Sequence, residues 1–227
     1  MRLIFIRHPE STKNTSGRFS SYENTEPLTT LGWSQVDSIK LEIQTLFDNG
    51  FIKKPIVLYS ATSMRSIALA KELASICGAA INEQVCLNSI NSGPVTGLNK
   101  EQMDRVAPGY FHEIELYESG ISNAYTINHP GGSPTCFEKK ISLLLKKIET
   151  SVIGTAIIIA HKSALTAIFI NYARRKNYYP KDFYGYIPFD NASFSIVDID
   201  KSDISIIGVN KSVEEFDLLQ KKHNCNN

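Results

Sequence analysis

Arginine and histidine residues follow apolar segments at three places in this chain. The segment "LIFI" is followed directly by Arg7 and His8, and "AIIIA" is followed by His161. Arg65 comes at the start of the helix predicted after "PIVLYS". Guanidinium groups match the oxygens of a phosphate, and a histidine that is partly neutral near neutral pH can attack phosphorus. If these side chains meet in the fold, they form a binding site for a phosphoryl dianion beside a nucleophilic histidine.

The spacing of apolar residues predicts the elements that place these side chains. The three apolar segments are continuous, as in strands that are buried on both faces of a sheet. Apolar residues recur at helical spacing in residues 32–47, 63–78, 133–150 and 163–174. Because strands and helices alternate, the sequence predicts an α/β protein with a mainly parallel sheet and helices on both faces. Ligands of such sheets bind outside the carboxyl ends of the strands, where these arginine and histidine residues are expected to lie.

The length of 227 residues, at 25.3 kDa, fits one domain with a sizeable core. We expect residues 1–220 to form that domain and residues 221–227 to be a disordered tail. Residues 79–128 are interrupted repeatedly by Gly and Pro, and they predict an insertion with one short helix near Lys100–Val106. The late segments "SFSIVDID" and "ISIIGV" predict two strands that form a hairpin at one edge of the sheet.

The charge of the chain is balanced, with 24 Lys and Arg residues against 23 Asp and Glu residues. A net charge of +1 provides no general attraction to nucleic acid or to an anionic membrane, so neither is expected as a partner. No apolar segment has the length of a membrane span or of a signal-peptide core, and we expect a cytoplasmic protein. In that compartment the cysteines are expected to be reduced thiols; they are Cys77, Cys86, Cys136 and Cys225.

The expected phosphoryl chemistry does not demand a metal ion. The sequence has no Gly-rich Walker loop for a nucleotide and no cluster of Asp residues for magnesium. Paired arginines supply the positive charge that a metal ion would otherwise supply beside a phosphoryl group. We therefore expect neither a metal nor another cofactor.

The residues "RHPE" after the first apolar segment match a known signature, Arg-His-Gly-Glu/Gln, except at Pro9. Further motifs follow in matching order; they are "NTSGRFSSYENTEPLTTLGWSQ", "YSATSMRSIALA", "HPGGSP", "IIIAHKSAL" and "DNASFSIVDID". Through these motifs the chain resembles the histidine phosphatase superfamily, the phosphoglycerate mutase-like proteins. The resemblance implies a three-layer α/β/α sandwich and an in-line phosphoryl transfer through a phosphohistidine.

The resemblance assigns catalytic roles to the residues at the strand ends. His8 corresponds to the nucleophile of the family, and Arg7 and Arg65 correspond to the residues that hold the phosphoryl oxygens. His161 corresponds to a second histidine that stabilises charge. The resemblance therefore makes these four residues the expected catalytic group.

Four other polar residues are expected to contact the substrate; they are Asn14, Ser20, Ser89 and Lys162. Asn14 and Ser20 match loop positions of the family that contact phosphate or substrate, although ordinary polar loop residues would look the same. Lys162 stands where the family usually has glycine. It is either an additional cation at the site or a surface charge.

Ser89 stands where the resemblance expects a glutamate, which in the family donates a proton to the leaving oxygen. A serine hydroxyl cannot act as a general acid near neutral pH. Either another acid reaches the leaving group, or the substrate needs little protonation, or catalysis is vestigial. The acids of the insertion that remain open as replacements are Glu83, Glu101, Asp104, Glu113 and Glu115.

Together these features favour a metal-independent phosphomonoester phosphatase that acts on a small phosphorylated substrate through a phosphohistidine on His8. The serine at position 89 keeps a second hypothesis open, a phosphate-binding pseudoenzyme of the same fold with little catalysis. A phosphotransferase of the phosphoglycerate mutase type is a third hypothesis, but the insertion shows no clear equivalent of the lid that a mutase requires. The natural substrate and the oligomeric state stay open.

Overall fold

The structure is a computed structural model that describes residues 1–18, 24–180, 182–201 and 203–215. Its elements, in chain order, are β1 (Arg2–Arg7), α1 (Thr12–Thr15), α2 (Thr30–Asp48), β2 (Ile56–Ser60), α3 (Met64–Cys77), β3 (Ile81–Glu83), α4 (Lys100–Val106), α5 (Tyr110–Glu118), α6 (Pro134–Ser151), β4 (Thr155–Ala160), α7 (Lys162–Arg175), β5 (Phe194–Asp200) and β6 (Asp203–Lys211). Short 3-10 turns are formed by Val85–Leu87, Gly93–Val95 and Ala124–Thr126.

The strands form one six-stranded sheet in the order β3-β2-β4-β1-β5-β6. The strands β3, β2, β4 and β1 run parallel to their neighbours, whereas β5 is antiparallel to β1 and β6 is antiparallel to β5. The prediction of a mainly parallel sheet with a late hairpin at one edge is confirmed. Because β1 lies between β4 and β5, the residues that follow β1 emerge near the middle of the sheet.

The carboxyl ends of the central strands are level with one another. In the parallel pair of β1 and β4, Arg7 lies opposite Ala160, and in the pair of β2 and β4, Ser60 lies opposite Ile159. The backbone N–H of His8 donates to the carbonyl of Ala160 at 3.1 Å, which extends the first pairing by one residue. The residues after these strands therefore reach the same edge of the sheet.

Helices cover both faces of the sheet and make three layers. The core on one face contains residues of α6 and α7, and the core on the other face contains residues of α2 and α3. Leu3 and Phe5 of β1 belong to the first core, whereas Ile4 and Ile6 belong to the second. Both faces of β1 are therefore buried, which explains why its apolar residues are continuous. The predicted α/β/α sandwich is confirmed.

Glycine at position 32 lets α2 begin close to the loop that follows β1. A Cβ atom at Gly32 would lie 2.0 Å from the carbonyl oxygen of Glu10, a contact that no side chain tolerates. The hydroxyl of Thr29 caps the helix by accepting from the backbone N–H of Gly32 at 3.0 Å. The start of α2 is thus held against the residues that follow His8.

Residues 79–128 contain more regular structure than the one short helix predicted from the sequence. That helix is confirmed as α4, but β3 and a second helix, α5, are also present. β3 has only three residues, so it leaves no pattern that a sequence reading detects. Gly109, with a φ of +80°, lies in the turn between α4 and α5, so this glycine is followed directly by a second helix. Both helices contribute to a small separate core, formed by Val95, Met103, Tyr110 and Ile127.

The structure addresses the predicted domain bounds, the tail, membrane-spanning helices and the cysteines only in part. The assignment of residues 1–220 to one domain stays a prediction, and the expected tail, residues 221–227, lies outside the described residues. In the part of the chain that the structure describes, no helix is both long and apolar enough to cross a bilayer. Within the same part, Cys77, Cys86 and Cys136 are free thiols.

Candidate active site

Two histidines and an arginine from three different segments meet at the carboxyl edge of the sheet. His8 follows β1, Arg65 lies in the first turn of α3, and His161 is the residue that caps the N-terminus of α7. The rings of the two histidines lie 4.6 Å apart between centroids. The Nε of Arg65 donates to Nε2 of His8 at 3.3 Å, and its Nη2 donates to Nδ1 of His161 at 3.2 Å. The convergence that the sequence predicts is therefore present in the fold.

These three side chains are almost completely buried. The exposed fractions of the residues are 4% for His8, 1% for Arg65 and 1% for His161. Burial, followed by the positive charge of Arg65, lowers the pKa of His8 well below the usual value. Burial, followed by the electrostatic effects of His8 and Arg65, does the same to the pKa of His161. Both histidines are therefore neutral at neutral pH in the free protein.

Arg7, at the end of β1, places a second guanidinium group at the same strand end. Its Nη1 donates to the backbone carbonyl of Phe189. Its Nε is buried and has no hydrogen-bond partner among the residues that the structure describes. Burial is also the main cause that lowers the pKa of Arg7. A buried donor without an acceptor is unfavourable, and an anionic ligand would supply the missing acceptor.

The hydrogen bonds of His8 determine which ring nitrogen carries its proton. Its Nδ1 lies 2.8 Å from the carbonyl oxygen of Pro9. A carbonyl oxygen can only accept, so Nδ1 carries the hydrogen and Nε2 has the lone pair. The side-chain Nδ2 of Asn191 donates to the backbone carbonyl of His8 at 3.0 Å and holds that segment. The arrangement leaves Nε2 as the nucleophilic atom of His8.

His161 has the opposite tautomer. Because a guanidinium group is only a donor, the contact with Arg65 requires a lone pair on Nδ1 of His161. Its Nε2 therefore carries the hydrogen and donates to the hydroxyl of Ser63 at 2.8 Å. The Ser63 hydroxyl in turn donates to that of Ser66 at 2.9 Å. This chain fixes the ring of His161 with its Nδ1 directed towards Arg65.

The low pKa values of the two histidines predict that the protein loses stability in acid. The unfolded chain binds protons on both residues below about pH 6.5, whereas the folded protein does not. The free energy of unfolding is therefore expected to fall with decreasing pH below that value, by up to about 1.4 kcal/mol per pH unit for each histidine. Urea denaturation at about pH 7.5 and about pH 5.5 measures this difference.

The variant His161→Gln separates this effect from other titrations. It is expected to show a smaller loss of stability between the two pH values, because one of the two depressed histidines is gone. His112→Gln is the matched control, since His112 is exposed on α5. An unchanged pH dependence in His161→Gln would contradict the neutral state assigned to His161.

A carboxylate that sequence analysis does not identify also contacts Arg65. The Nη1 of Arg65 donates to Glu26 at 2.8 Å, and its Nη2 lies 3.4 Å from Oδ1 of Asn24. All three guanidinium nitrogens of Arg65 therefore contact protein groups in the free structure. A buried arginine requires a partner, but nothing in the polar segment around Glu26 shows in advance which residue it is.

Of the two predicted loop residues, Asn14 lies beside the segment of His8, and Ser20 lies outside the described residues. Asn14 belongs to the short helix α1, in a segment that the sequence predicts as a loop. Its Oδ1 accepts from the backbone N–H and the hydroxyl of Ser11, both at 3.0 Å, and lies 3.5 Å from Nδ2 of Asn191. Asn14 therefore braces the loop after β1, and its expected contact with phosphate stays a prediction.

A cavity of about 650 Å³ adjoins the buried cluster. Its wall includes Ser89 and Asn24, but His8, Arg65 and His161 lie behind the wall. The hydroxyl of Ser89 is 3.1 Å from Nδ1 of His161, and Asn24 contacts Arg65 as described above. The cavity and the cluster are therefore separated by single side chains. Ser89 therefore lies next to His161, and its correspondence to the proton donor of the family stays a prediction.

Two lysines lie in the cavity wall near the cluster. Lys162 forms an ion pair with Glu118 at 2.7 Å, and its Nζ also lies 3.2 Å from the hydroxyl of Tyr186. Lys13 was not predicted as a site residue, and burial, followed by the charges of Arg65 and Lys162, lowers its pKa. Lys162 is thus an additional cation in the wall of the cavity. The only sequence signal for Lys13 is its closeness to His8 along the chain.

Among the acids considered as replacements for the missing glutamate, Glu115 lies in the cavity wall. Its carboxylate is 3.3 Å from the ammonium group of Lys100. Glu118, which was not among those considered, lies in the wall as well. The considered acids that do not line the cavity are Glu83, Glu101, Asp104 and Glu113.

The mainly parallel sheet between helical layers, with arginines and histidines at its carboxyl edge, defines a phosphoglycerate mutase-like protein. The family model of the histidine phosphatase superfamily (branch 1) matches residues 3–212. The chain belongs to this superfamily. Membership supports the prediction of a phosphatase.

Solved structures of known phosphatases share the fold at low sequence identity. A mycobacterial glucosyl-3-phosphoglycerate phosphatase in complex with VO3 has a TM-score of 0.73 and 19% identity, over 93% of this chain and 99% of that chain. The α-ribazole phosphatase of Shigella flexneri has a TM-score of 0.71 and 18% identity, over 93% and 96% of the two chains. A mutant phosphoserine phosphatase of Entamoeba histolytica, in complex with phosphoserine, has a TM-score of 0.66 and 17% identity, over 94% and 98%. No curated protein sequence matches the chain.

Proposed function

We propose that the protein is a metal-independent phosphomonoester phosphatase that works through a phosphohistidine on His8. The observation that carries this proposal is the buried contact of one guanidinium group, that of Arg65, with both histidines. The tautomer of His8 adds to it, because the lone pair of Nε2 faces Arg65. A small phosphorylated molecule is the proposed substrate, in a cytoplasmic location and without nucleic acid or membrane as partner.

The reaction takes place in two steps at Nε2 of His8. In the first, the lone pair of Nε2 forms a bond to phosphorus while the ester P–O bond opposite to it breaks, and the leaving oxygen takes a proton from solvent water. In the second, water attacks phosphorus, the P–N bond breaks, and the electron pair returns to Nε2. The proton of the water leaves with the phosphate or to solvent. The alcohol and inorganic phosphate are the products.

Arg7 and Arg65 bind the oxygens of the phosphoryl group. Nε of Arg7 supplies a donor for which the described residues offer no acceptor. Arg65 exchanges its contacts with the two histidines, and some of those with Glu26 and Asn24, for contacts with the phosphoryl oxygens. A bound dianion also favours the protonated form of His161, whose Nδ1 then becomes a donor to the same group. The positive charge is thereby placed where negative charge develops in the transition state.

The serine at position 89 predicts a specific weakness, in the protonation of poor leaving groups. The variant Ser89→Glu is expected to raise kcat/KM for alkyl phosphates by about a hundredfold and for aryl phosphates much less. Aryl oxygens leave without much protonation, whereas alkoxides do not. The measurement is hydrolysis of propyl phosphate and phenyl phosphate by both proteins.

Ser38→Glu, on the exposed face of α2, is the matched control because it adds the same charge far from the cavity wall. It is expected to leave both rates unchanged. Equal gains on the two substrates in Ser89→Glu would show that position 89 is not that of the proton donor.

A phosphate-binding pseudoenzyme remains the second candidate function. Two observations favour it, the serine at position 89 and the full engagement of Arg65 by protein groups. In that case calorimetry detects binding of inorganic phosphate, while a panel of phosphomonoesters at several pH values shows no hydrolysis. The phosphatase proposal requires hydrolysis of at least one member of that panel.

A further inference from the structure

The cavity beside the cluster is much larger than a phosphoryl group. Its volume of about 650 Å³ equals that of about twenty water molecules in the liquid. A phosphoryl group occupies the space of only a few of them. If the phosphoryl group is bound by the buried cluster, as proposed above, the rest of the cavity receives the alcohol part of the substrate.

Aromatic rings form much of the wall of this cavity. They come from the insertion, from α6 and from the segment before β5, and they are Tyr110, Phe111, Tyr117, Phe137, Tyr184 and Tyr186. The rings of Tyr117 and Tyr186 pack edge to face, with centroids 5.5 Å apart. Aliphatic side chains of the insertion, among them Ile90 and Ile114, add to this surface, and uncharged polar side chains such as Asn91 also line the cavity. Such a wall favours an apolar ligand body, and aromatic rings in particular.

The charges in the wall are placed at one end or are paired. Lys13 lies at the cluster end, where the charges of Arg65, Lys162 and Arg7 add to burial in lowering its pKa. Lys162 directly follows His161 in the chain. Lys162 also packs against the ring of Tyr186, with its Nζ 5.0 Å from the centroid, and is paired with Glu118. The two lysines therefore lie near the proposed phosphate position. The aromatic wall begins at the ring of Tyr186, which contacts Lys162.

Among the described residues at the aromatic end of the wall, the ionisable groups Glu115 and His129 are either paired or neutral. Glu115 is paired with Lys100. The Nδ1 of His129 lies 2.8 Å from the hydroxyl oxygen of Tyr110. Burial lowers the pKa of His129 to about 4. His129 is therefore neutral at neutral pH. Among the described residues of this part of the wall, neither a second anion nor a second cation of a substrate would find an unpaired charge.

We propose that the substrate is a phosphomonoester whose alcohol carries an uncharged ring system, which lies against the aromatic wall of the cavity. This inference rests on the proposed function, because it assigns the phosphoryl end of the substrate to the histidine cluster. The inference goes beyond the proposed function because it names the chemical group that the remainder of the cavity binds. Small polar phosphates and phosphoamino acids are then poor substrates, since they leave the aromatic wall in contact with water.

Hydrolysis of 3-phenylpropyl phosphate and of propyl phosphate tests the proposal. Both esters have primary alkyl leaving groups, so they differ in the ring and hardly in the need for protonation. We expect kcat/KM to be about ten- to a hundredfold higher for the ester with the ring. O-phosphoserine is expected to be no better than propyl phosphate. Equal values for the two alkyl esters, or a preference for O-phosphoserine, would overturn the proposal.

The variant Phe137→Ala tests whether this cavity is responsible for the preference. Phe137 lies on α6 in the cavity wall and is only partly buried. Its removal is expected to lower the ratio of the two kcat/KM values about tenfold. Tyr178→Ala removes an exposed ring outside the cavity and is expected to keep the ratio. A ratio that survives in Phe137→Ala and in Phe111→Ala alike would place the ring elsewhere and overturn the proposal.

Binding of the matching phosphonates separates this proposal from the proposed function. 3-Phenylpropylphosphonate is expected to bind at least about tenfold more tightly than propylphosphonate in calorimetry, whether or not the protein hydrolyses esters. If neither these esters nor any other member of the phosphomonoester panel is hydrolysed while this difference in affinity is found, the phosphatase proposal is wrong and the ring site stands. If both esters are hydrolysed at equal rates in a reaction that depends on His8, the phosphatase proposal stands and the ring site is wrong.

Discussion

Replacement of His8 by alanine is expected to lower kcat/KM for phenyl phosphate by at least about ten-thousandfold. The change removes the atom that is proposed to form the bond to phosphorus, and no other route to the same intermediate is available. The neighbouring His161 does not substitute for it, because its Nδ1 contacts Arg65 and Ser89 while its Nε2 donates to Ser63. Steady-state kinetics with the purified variant measure the loss.

Two controls keep the result of His8→Ala interpretable. His112→Ala removes an exposed histidine of α5 and is expected to keep full activity. Circular dichroism and urea denaturation show whether the His8 variant is folded at the temperature of the assay. A folded His8→Ala protein that hydrolyses phenyl phosphate at the parent rate would end the assignment of His8 as nucleophile.

Arg65→Gln is expected to have the second largest effect, a loss of about a thousandfold in kcat/KM. The guanidinium group is proposed to bind the phosphoryl oxygens, and in the free protein it also holds both histidines. Glutamine supplies one donor group and no charge, so it replaces neither function. Calorimetry with inorganic phosphate is expected to show weaker binding as well, which connects the loss to the anion rather than to the leaving group.

The partner of Arg65 complicates this variant and also provides its control. Arg65→Gln removes the ion pair with the carboxylate of Glu26, whose side chain is 17% exposed. This loss is expected to cost about 3 kcal/mol of stability. The double variant Arg65→Gln with Glu26→Gln also removes the carboxylate charge and is expected to regain stability but not activity. Recovery of activity in the double variant would mean that Arg65 only stabilises the folded protein and does not bind the phosphoryl group.

Arg105→Gln is the matched surface control for the arginine change. Arg105 is exposed and pairs only with Glu101, one turn earlier on α4, among the described residues. Exposed pairs of this kind contribute little to stability. The variant is therefore expected to match the parent protein in both activity and phosphate binding.

Much of the fold can be predicted from the sequence because its strongest signals are long and regular. The four predicted helices appear as α2, α3, α6 and α7, with bounds within two residues of those expected. The continuous apolar segments indicate buried strands, and both faces of β1 are indeed covered. Short elements are different: β3 has three residues and α1 has four, and their formation depends on neighbours that are distant in the chain.

The residues of the candidate site also differ in how well the sequence predicts their positions. Residues at the ends of buried strands, such as His8 and His161, can be placed from the sequence because the sheet brings parallel strand ends to one edge. Glu26, Lys13 and the aromatic wall cannot be placed in this way. They reach the site through loops and through the insertion, whose packing no local pattern determines.

Identification of the phosphorylated atom during turnover tests whether His8 is the nucleophile. The protein is quenched with alkali while it hydrolyses phenyl phosphate, and the phosphopeptide is examined by mass spectrometry and by phosphorus NMR. We expect an acid-labile, alkali-stable phosphate on His8 at Nε2, because the Nδ1 hydrogen is held by the carbonyl of Pro9. A phosphate on Nδ1 of His8, on another residue, or on none during active turnover would contradict this expectation.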